Sequence, residues 1–514
     1  MLKKRNNKMW FAIAIVLTIA VSVSVVSFAA ITSNDNPVNL LVTNATEDCK
    51  TSVNVSWHAP VAKSTIKYTT ADDTEFANAT TVEVDGTLGT LDYYDMKAGK
   101  YYTYEYTITG LTEDTKYIYK VSNEKGESDV YTFVTAGTSA FRFISLGDIH
   151  SDKDSRYTYV TQAEKMLKNI QKKIGDWDLT IFTGDITQTG ATYSDWVQYN
   201  NTIITSSGIL AVTIGNHDTD NRAIGVKKIS NKWFVESLGN PVNGPEGLES
   251  VYWFNYNGVL FLCIDTLAME MSEFTAQQKN LSVQLQWMKD VVAAQEGKYQ
   301  YIVVYQHNPF GNGSEDGFCD WSYYNQLYKT CDEIGADFCL GGDSHEYARS
   351  KRLYGNKVVD TEGDVGTVYI TNPMVTSGSM NKVKEGAESS TTATRFAGAG
   401  TGATIFTVTE TGITFQLVSS SAKVIDEVTI PSRRTAIITG TEVAGPAAVE
   451  PTATPAPTEA PTQAPTDEPT TEPTEKPVDD GADDKNNLVL PIVAGAVVVV
   501  AVAVVLVLVL KKKK

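Results

Sequence analysis

The chain has 514 residues, of which 42% are hydrophobic, and a formal net charge of −18 at pH 7. This length predicts two or three folded units rather than one. The acidic balance argues against nucleic acid as a binding partner, because phosphate backbones attract basic surfaces.

The N-terminus predicts a secretory signal over residues 1–30. Four basic residues precede an apolar run over residues 9–28, and small residues follow at positions 29 and 30. This order of charge, apolar run and small residues is typical of a cleavable signal peptide. The apolar run is long for such a signal, so an uncleaved membrane anchor remains the alternative.

The cysteines of this chain do not predict a disulfide framework, because five is a small and odd number for an exported protein. Cys263 and Cys339 lie in apolar, strand-like runs, so we expect them to be buried. Cys319 and Cys331 could form a bridge or remain free thiols.

Residues 38–137 predict an all-β sandwich. Apolar side chains alternate with polar ones at Val53, Val55 and Trp57, as in a strand with one buried face. Residues 111–121 resemble the tyrosine-corner stretch of fibronectin type III domains, in which a tyrosine at the start of a strand ties back to the preceding loop. His58 lies next to Pro60 at a predicted strand end, and we interpret it as a surface residue.

Residues 140–432 predict an α/β domain. Short apolar runs, interpreted as strands, alternate with stretches of helical spacing such as residues 161–174. The predicted strands cover residues 141–146, 179–182, 210–214, 301–305 and 338–340. Residues 404–430 predict a closing hairpin around a turn at 410–412.

Four of the five histidines lie in short polar motifs that follow these predicted strands. The motifs contain, in chain order, Asp148 and His150; Gly184 and Asp185; Gly215, Asn216, His217 and Asp218; His307; and Asp343 and His345. Polar residues at the carboxyl ends of strands are where open α/β sheets bind ligands. In this order the motifs resemble the calcineurin-like metallophosphoesterase superfamily, and the preceding β-sandwich resembles the purple acid phosphatase branch.

The resemblance implies a four-layer α/β sandwich, with two mixed sheets flanked by helices, behind a fibronectin type III-like sandwich. It also implies two divalent metal ions, which could be manganese, iron, zinc or magnesium. The implied ligands are Asp148, His150 and His345 for the first metal, Asp185 as the bridge, and Asn216 and His307 for the second. A bridging hydroxide would attack the phosphoester, because paired metals lower the pKa of bound water.

The implied catalytic residue is His217, which faces the substrate as an acid or oxyanion partner, with Asp218 fixing its tautomer. The aspartate Asp343 stands where the family usually has a histidine, and we include it as a candidate ligand of the second metal. Gln188 fills the position at which purple enzymes carry tyrosine, so iron–tyrosinate chemistry is not implied. Arg222 could touch a substrate phosphate or be an exposed loop residue.

The C-terminus predicts a tethered surface protein. Residues 445–487 are rich in Pro, Thr and acidic residues, which predicts a disordered stalk. Residues 488–510 form an unbroken apolar run of 23 residues, long enough for a transmembrane helix, and the lysines at 511–514 predict a cytoplasmic tail. A degenerate sortase signal and a removable lipid-anchor signal are the alternatives.

The sequence therefore predicts an extracellular, membrane-anchored, metal-dependent hydrolase of small-molecule phosphomonoesters or phosphodiesters, nucleotides included. The alternative is a surface adhesion or binding protein whose catalytic domain is impaired, which Asp343, the β-sandwich and the stalk favour. Retention of Asp185, His217 and Asp218 argues against that alternative.

Overall fold

The computed structural model describes residues 37–443, apart from residues 97–98, 153–157, 199, 220–229, 269–273, 311–323, 361–362, 364, 376–391 and 397–401. The predicted signal peptide, stalk, membrane segment and lysine tail lie outside the described residues, as do Arg222 and Cys319. Within the described residues, no helix is both long and apolar enough to cross a membrane.

The N-terminal region is a β-sandwich. Its described strands are β1 (Leu40–Asn44), β2 (Ser52–Ala59), β3 (Lys63–Thr70), β4 (Thr80–Asp85), β5 (Thr87–Leu88), β6 (Tyr102–Thr109), β7 (Lys116–Asn123), β8 (Gly126–Glu127) and β9 (Tyr131–Val134). One sheet contains β1, β2, β6 and β5, and the other has β7 bordered by β3, β8 and β9. Trp57 stacks on Tyr104 between them, with ring centroids 4.9 Å apart. The backbone N–H of Thr112 donates to Tyr117 Oη at 3.0 Å, which is the predicted tyrosine corner.

The larger region alternates strands with helices. Its described strands are β10 (Phe141–Leu146), β11 (Leu179–Phe182), β12 (Ile209–Val212), β13 (Tyr252–Tyr256), β14 (Val259–Cys263), β15 (Tyr301–Tyr305), β16 (Phe338–Gly341), β17 (Tyr347–Ser350), β18 (Leu353–Tyr354), β19 (Lys357–Val358), β20 (Val368–Thr371), β21 (Thr392–Phe396), β22 (Gly402–Val408), β23 (Gly412–Ser419) and β24 (Val424–Pro431). Its described helices are α1 (Thr158–Ile174), α2 (Tyr193–Val197), α3 (Ile203–Ser206), α4 (Lys232–Ser237), α5 (Phe274–Ala294) and α6 (Tyr324–Ile334), with a short 3₁₀ helix at Asn216–Asp218.

Two mixed sheets pack face to face, and helices cover their outer faces. In the first sheet β10, β11 and β12 are parallel, and in the second β14, β15, β16 and β20 are parallel. Phe143 points into the layer between the sheets, where its ring stacks on Phe406 at 4.3 Å and meets Phe261 edge-on. The next residue, Ile144, points outward into the cluster that contains Leu167 of α1. This alternation confirms the predicted mixed α/β class.

The two regions share one sheet. Strand β1 of the sandwich pairs in parallel with β12, with Asn44 opposite Leu210. The described strands therefore run without a break in the order β24-β23-β22-β10-β11-β12-β1-β2-β6-β5. A single hydrophobic cluster contains side chains of both regions, from Trp57 to Phe406. The β-sandwich is thus continuous with the larger α/β region and does not form a separate domain.

The shared sheet explains why the interpretation of His58 as a surface residue is wrong. Strand β2 lies inside the long sheet, and its second face is covered by α4 and the loop after it, so His58 is only 2% exposed. Its Nδ1 lies 3.2 Å from Tyr193 Oη, and its Nε2 lies 3.2 Å from the Glu236 carbonyl. Burial lowers the pKa of His58 to about 4, so the ring is neutral in the folded protein.

Cys263 and Cys339 are buried, as predicted. The sulfur of Cys331 lies 3.3 Å from that of Cys339, which joins α6 to β16 by contact. The suggested bridge between Cys319 and Cys331 involves a residue outside the described part of the chain.

Candidate metal centre

The predicted site residues meet at one edge of the two facing sheets. Parallel strands present their carboxyl ends to the same side, so the loops after β10, β11 and β12 face those after β15 and β16. Side chains from all five loops come together here: Asp148, His150, Asp185, Asn216, His217, Asp218, His307, Asp343 and His345. Arg222 lies outside the described residues, so its predicted contact with substrate is untested.

Five of these residues have a left-handed backbone. Eleven described non-glycine residues have positive φ, and the five site residues among them are Asp148 (56°), His150 (48°), Asp185 (52°), Asp343 (63°) and His345 (61°). This conformation is unfavourable for residues with a Cβ and persists only where the surroundings impose it. The left-handed residues are concentrated in three loops, and strained backbone of this kind is typical of functional sites.

Glycine is required at two points where the loops approach each other. A Cβ on Gly215 would lie 2.2 Å from both the backbone nitrogen and Oδ1 of Asp185. Gly184, with φ of 90°, would place a Cβ 2.5 Å from His307 Nδ1. Both glycines therefore allow the third motif and His307 to press against Asp185.

Asp148, His150 and His345 form a first cluster of donor atoms. The Nε2 atoms of His150 and His345 are 3.0 Å apart, and His345 Nε2 is 3.7 Å from Asp148 Oδ1. The Asp148 carboxylate also accepts hydrogen bonds from the backbone N–H of Asp343, at 3.0 and 3.1 Å. The three side chains are those predicted for the first metal.

A second cluster surrounds Nε2 of His307. This atom lies 3.0 Å from Asn216 Oδ1, 3.5 Å from Asp185 Oδ1 and 3.6 Å from Asp343 Oδ1. His307 Nδ1 lies 2.8 Å from the Thr183 carbonyl, which can only accept, so the proton is on Nδ1. The lone pair on Nε2 consequently points into the cluster, as a metal ligand requires.

Asp185 lies between the two clusters. One oxygen, Oδ1, faces His307, while Oδ2 lies 3.6 Å from His150 Nε2. The Oδ1 atom also accepts the backbone N–H of His217 at 2.8 Å, which fixes the orientation of the carboxylate. This is the position expected of a bridging ligand.

His217 is oriented by a backbone carbonyl. Its Nδ1 lies 2.9 Å from the Gln188 carbonyl, so Nδ1 carries the proton, and Nε2 faces Asp185 Oδ2 at 3.9 Å. The expectation that the Asp218 carboxylate fixes this tautomer is wrong. The buried Asp218 carboxylate instead accepts hydrogen bonds from the backbone N–H groups of Thr187 and Gly215, at 2.9 and 3.0 Å.

The charges of the site favour a cation. Burial raises the pKa of Asp148 well above its usual range, and the Asp185 and Asp343 carboxylates raise it further. Burial also raises the pKa of Asp185. Burial lowers the pKa of His307, but the carboxylates of Asp185 and Asp343 outweigh it and raise this pKa well above its usual range. A divalent cation would relieve this crowding of carboxylates, and mixed oxygen and imidazole donors suit manganese, iron, zinc or magnesium.

Sequence reasoning missed the backbone contacts of the site. The carbonyls of Thr183 and Gln188 set the tautomers of His307 and His217. Every residue has a backbone carbonyl, so residue type does not indicate which carbonyl sets the tautomer of a histidine. The close approach of Gly215 to Asp185 had a visible signal, because a glycine directly precedes the Asn-His-Asp motif.

Comparisons with known proteins agree with this geometry. Residues 141–347 match the family described as calcineurin-like phosphoesterase, and residues 36–135 match the family described as purple acid phosphatase, N-terminal domain. The purple acid phosphatase PPD1 from yellow lupin (Lupinus luteus) seeds is 15% identical, with a TM-score of 0.61 over 76% of this chain and 74% of that one. The structure of PhoD is 13% identical, with a TM-score of 0.53 over 79% of this chain and 93% of that one. No curated protein matches the sequence.

Proposed function

Because the chain carries a calcineurin-like phosphoesterase domain behind a purple acid phosphatase N-terminal domain, we propose that it is a dinuclear-metal phosphoester hydrolase of the cell surface. The observation that carries the proposal is the meeting of two donor clusters on either side of one carboxylate. Asp185 lies 3.5 Å from His307 in one cluster and 3.6 Å from His150 in the other.

The donor atoms divide into two sets of ligands. Asp148, His150 and His345 would hold the first ion, and Asp185 would be shared. The second ion would be held by three further side chains, which are Asn216, His307 and Asp343. When bound, two divalent cations activate water for attack and neutralise charge on the phosphoryl oxygens.

His217 supplies the proton chemistry in this proposal. Its Nδ1–H is held by the Gln188 carbonyl, and its ring packs edge-on against His150 at 4.3 Å, so the ring cannot easily turn. The other nitrogen, Nε2, would accept a hydrogen bond from a protonated phosphoryl oxygen or, when protonated, donate one to the leaving oxygen. A pure binding protein has no need of this arrangement.

Asp343 influences the choice of substrate. Its side chain is 37% exposed, and its Oδ1 lies 3.6 Å from His307 Nε2, so it faces both the second cluster and solvent. A carboxylate here adds one negative charge where the family usually has a neutral imidazole. Repulsion is greater for the dianionic phosphomonoester than for the singly charged diester, which favours small-molecule diesters.

The decisive experiment measures metal and turnover together. The purified full-length chain should contain about two divalent ions and hydrolyse paired chromogenic monoester and diester substrates, with activity lost on chelation and regained with manganese or zinc. Metal content without turnover of either substrate would contradict the proposal and favour a surface binding protein.

The cell-surface location is supported by the sequence alone, through the predicted signal and the apolar run at residues 488–510. Protease added to intact cells should release the folded region, while a tag placed after Lys514 stays protected. Recovery of full-length protein in the cytosol would contradict this location.

A further inference from the structure

The loop that holds His217 is braced by a short helix. Gln188, whose carbonyl contacts His217 Nδ1, donates its own N–H to the Ser151 carbonyl at 2.7 Å. Ser151 directly follows the proposed ligand His150. It also forms an isolated parallel β-bridge with Thr187. The loops after β10 and β11 are therefore joined by backbone hydrogen bonds beside the site.

Asp195 of α2 holds both of these loops. Its carbonyl accepts the Ser151 hydroxyl at 2.6 Å, and its Oδ2 accepts the backbone N–H of Thr189 at 3.2 Å. Asp195 is only 3% exposed. The indole of Trp196, the next residue, donates to the Gly190 carbonyl at 2.7 Å. The two residues that follow Gln188 are thus anchored to α2.

The β-sandwich region anchors this helix in turn. Thr192 at the start of α2 makes no side-chain capping hydrogen bond. Asp95, from the segment between β5 and β6, caps it instead by accepting the N–H groups of Tyr193 and Ser194 at 2.8 and 3.0 Å. The Tyr193 hydroxyl also contacts His58 of β2.

We infer that Asp195 is a positioning residue for His217, and that Asp95 connects the β-sandwich to it through the N-terminus of α2. The path runs from Asp95 to α2, from Asp195 to Thr189, and from the adjoining Gln188 carbonyl to the imidazole. The side-chain contacts of both aspartates described above are with backbone groups of the loops and of α2. The inference rests on the proposed function, since it gives His217 a catalytic task, but the path itself can be tested without catalysis.

The kinetic test compares Asp195→Ala with Asp195→Asn. Loss of the acceptor lets the loop shift, so Asp195→Ala should lower kcat about tenfold with metal content and KM unchanged. Asp195→Asn keeps an acceptor oxygen and should retain most of the activity. In a His217→Ala background, Asp195→Ala should cause no further loss, because the two residues act as one unit.

A second measurement is independent of activity. In protein labelled with ¹⁵N at its five histidines, the His217 ring should show a protonated Nδ1 in the wild type and a mixture of tautomers in Asp195→Ala. If the wild type hydrolysed no phosphoester, the proposed function would fail while this test of the path would still stand. An unchanged His217 tautomer in Asp195→Ala would overturn the inference.

Asp95 provides a variant that should fold normally, since it is exposed. Asp95→Ala should lower kcat in the same direction as Asp195→Ala but by less. Asp73→Ala is the matched control, because Asp73 likewise accepts two backbone N–H groups, from Ala77 and Asn78, but within the β-sandwich. Equal effects of Asp95→Ala and Asp73→Ala, or additive losses of Asp195→Ala and His217→Ala, would show a general effect on stability and contradict the inference.

Discussion

Two histidines of the site, His217 and His307, donate Nδ1–H to backbone carbonyls and turn Nε2 toward the donor clusters. They nevertheless have different surroundings. His307 Nε2 has three oxygen atoms within 3.6 Å, whereas His217 Nε2 approaches Asp185 at 3.9 Å. The first environment suits a ligand, and the second suits a group that meets the substrate.

This difference predicts separate phenotypes for two substitutions. Asp185→Ala removes the carboxylate shared by both clusters, so metal content and activity should both be lost. His217→Ala should keep the metals and lower kcat about a hundredfold, because it removes only a proton-transfer group. Metal analysis and kinetics on the same preparations provide the check. Equal loss of metal in both variants would make His217 a ligand.

Asp343 leads to a prediction about metal and substrate preference. Asp343→His should shift activation toward Zn²⁺, because imidazole is a softer ligand than carboxylate. It should also raise monoester turnover relative to diester about tenfold, since one negative charge beside the phosphoryl group is removed. Activity titrations with Mn²⁺, Mg²⁺ and Zn²⁺ on both substrates measure this. If neither preference changes, Asp343 does not ligate the metal.

Among the secondary-structure elements, those that deliver the site were the most predictable. The predicted strands at 179–182 and 301–305 coincide with β11 and β15, because each is a largely apolar run buried on both faces. The predicted hairpin over residues 404–430 is a three-stranded meander, β22 to β24, since a second turn precedes β24.

The pairing of β1 with β12 could not be predicted from local periodicity. Alternation tells which side chains of a strand face the core, but it does not tell which strand lies alongside its edge. The same gap produced the error on His58, whose strand is an interior strand of the joined sheet. The role of the Gln188 carbonyl was missed for a different reason, because residue types do not indicate the contacts of backbone atoms.

Strand β16, which leads to Asp343 and His345, depends on one buried carboxylate at its start. Asp337 accepts hydrogen bonds from Arg433, Arg434 and the Ile302 backbone, and its side chain is fully buried. Asp337→Ala would remove the carboxylate that neutralises two guanidinium groups and leave them with backbone carbonyl acceptors. We expect it to lower the free energy of unfolding by about 3–5 kcal/mol in urea denaturation.

Glu333→Ala serves as the control for that substitution. Glu333 pairs with Lys289 and Lys329 near the end of α6, but all three side chains are substantially exposed. Its removal should change the urea midpoint little, because exposed ion pairs are screened by water. A loss as large as that of Asp337→Ala would mean that burial does not distinguish the two carboxylates.

For the whole molecule, the ten-stranded sheet implies a single cooperative unit. The β-sandwich and the catalytic region share a sheet and a hydrophobic cluster. Unfolding of either region would therefore expose a sheet edge and buried apolar side chains of the other. Calorimetry of the full-length chain should show one transition for the folded region. A fragment beginning at residue 138 should aggregate, because it exposes the edge of β12. Two well-separated transitions would contradict this prediction.

The last described residues of the folded region lie far from the candidate metal centre. Residues 438–443 run back beside the start of β10, where Ala140 donates to the Thr439 carbonyl and Arg142 donates to that of Val443. Asp148 lies beyond the other end of the same strand, about 20 Å away at 3.3 Å per residue. The last described residues and the candidate metal centre therefore lie at opposite ends of β10.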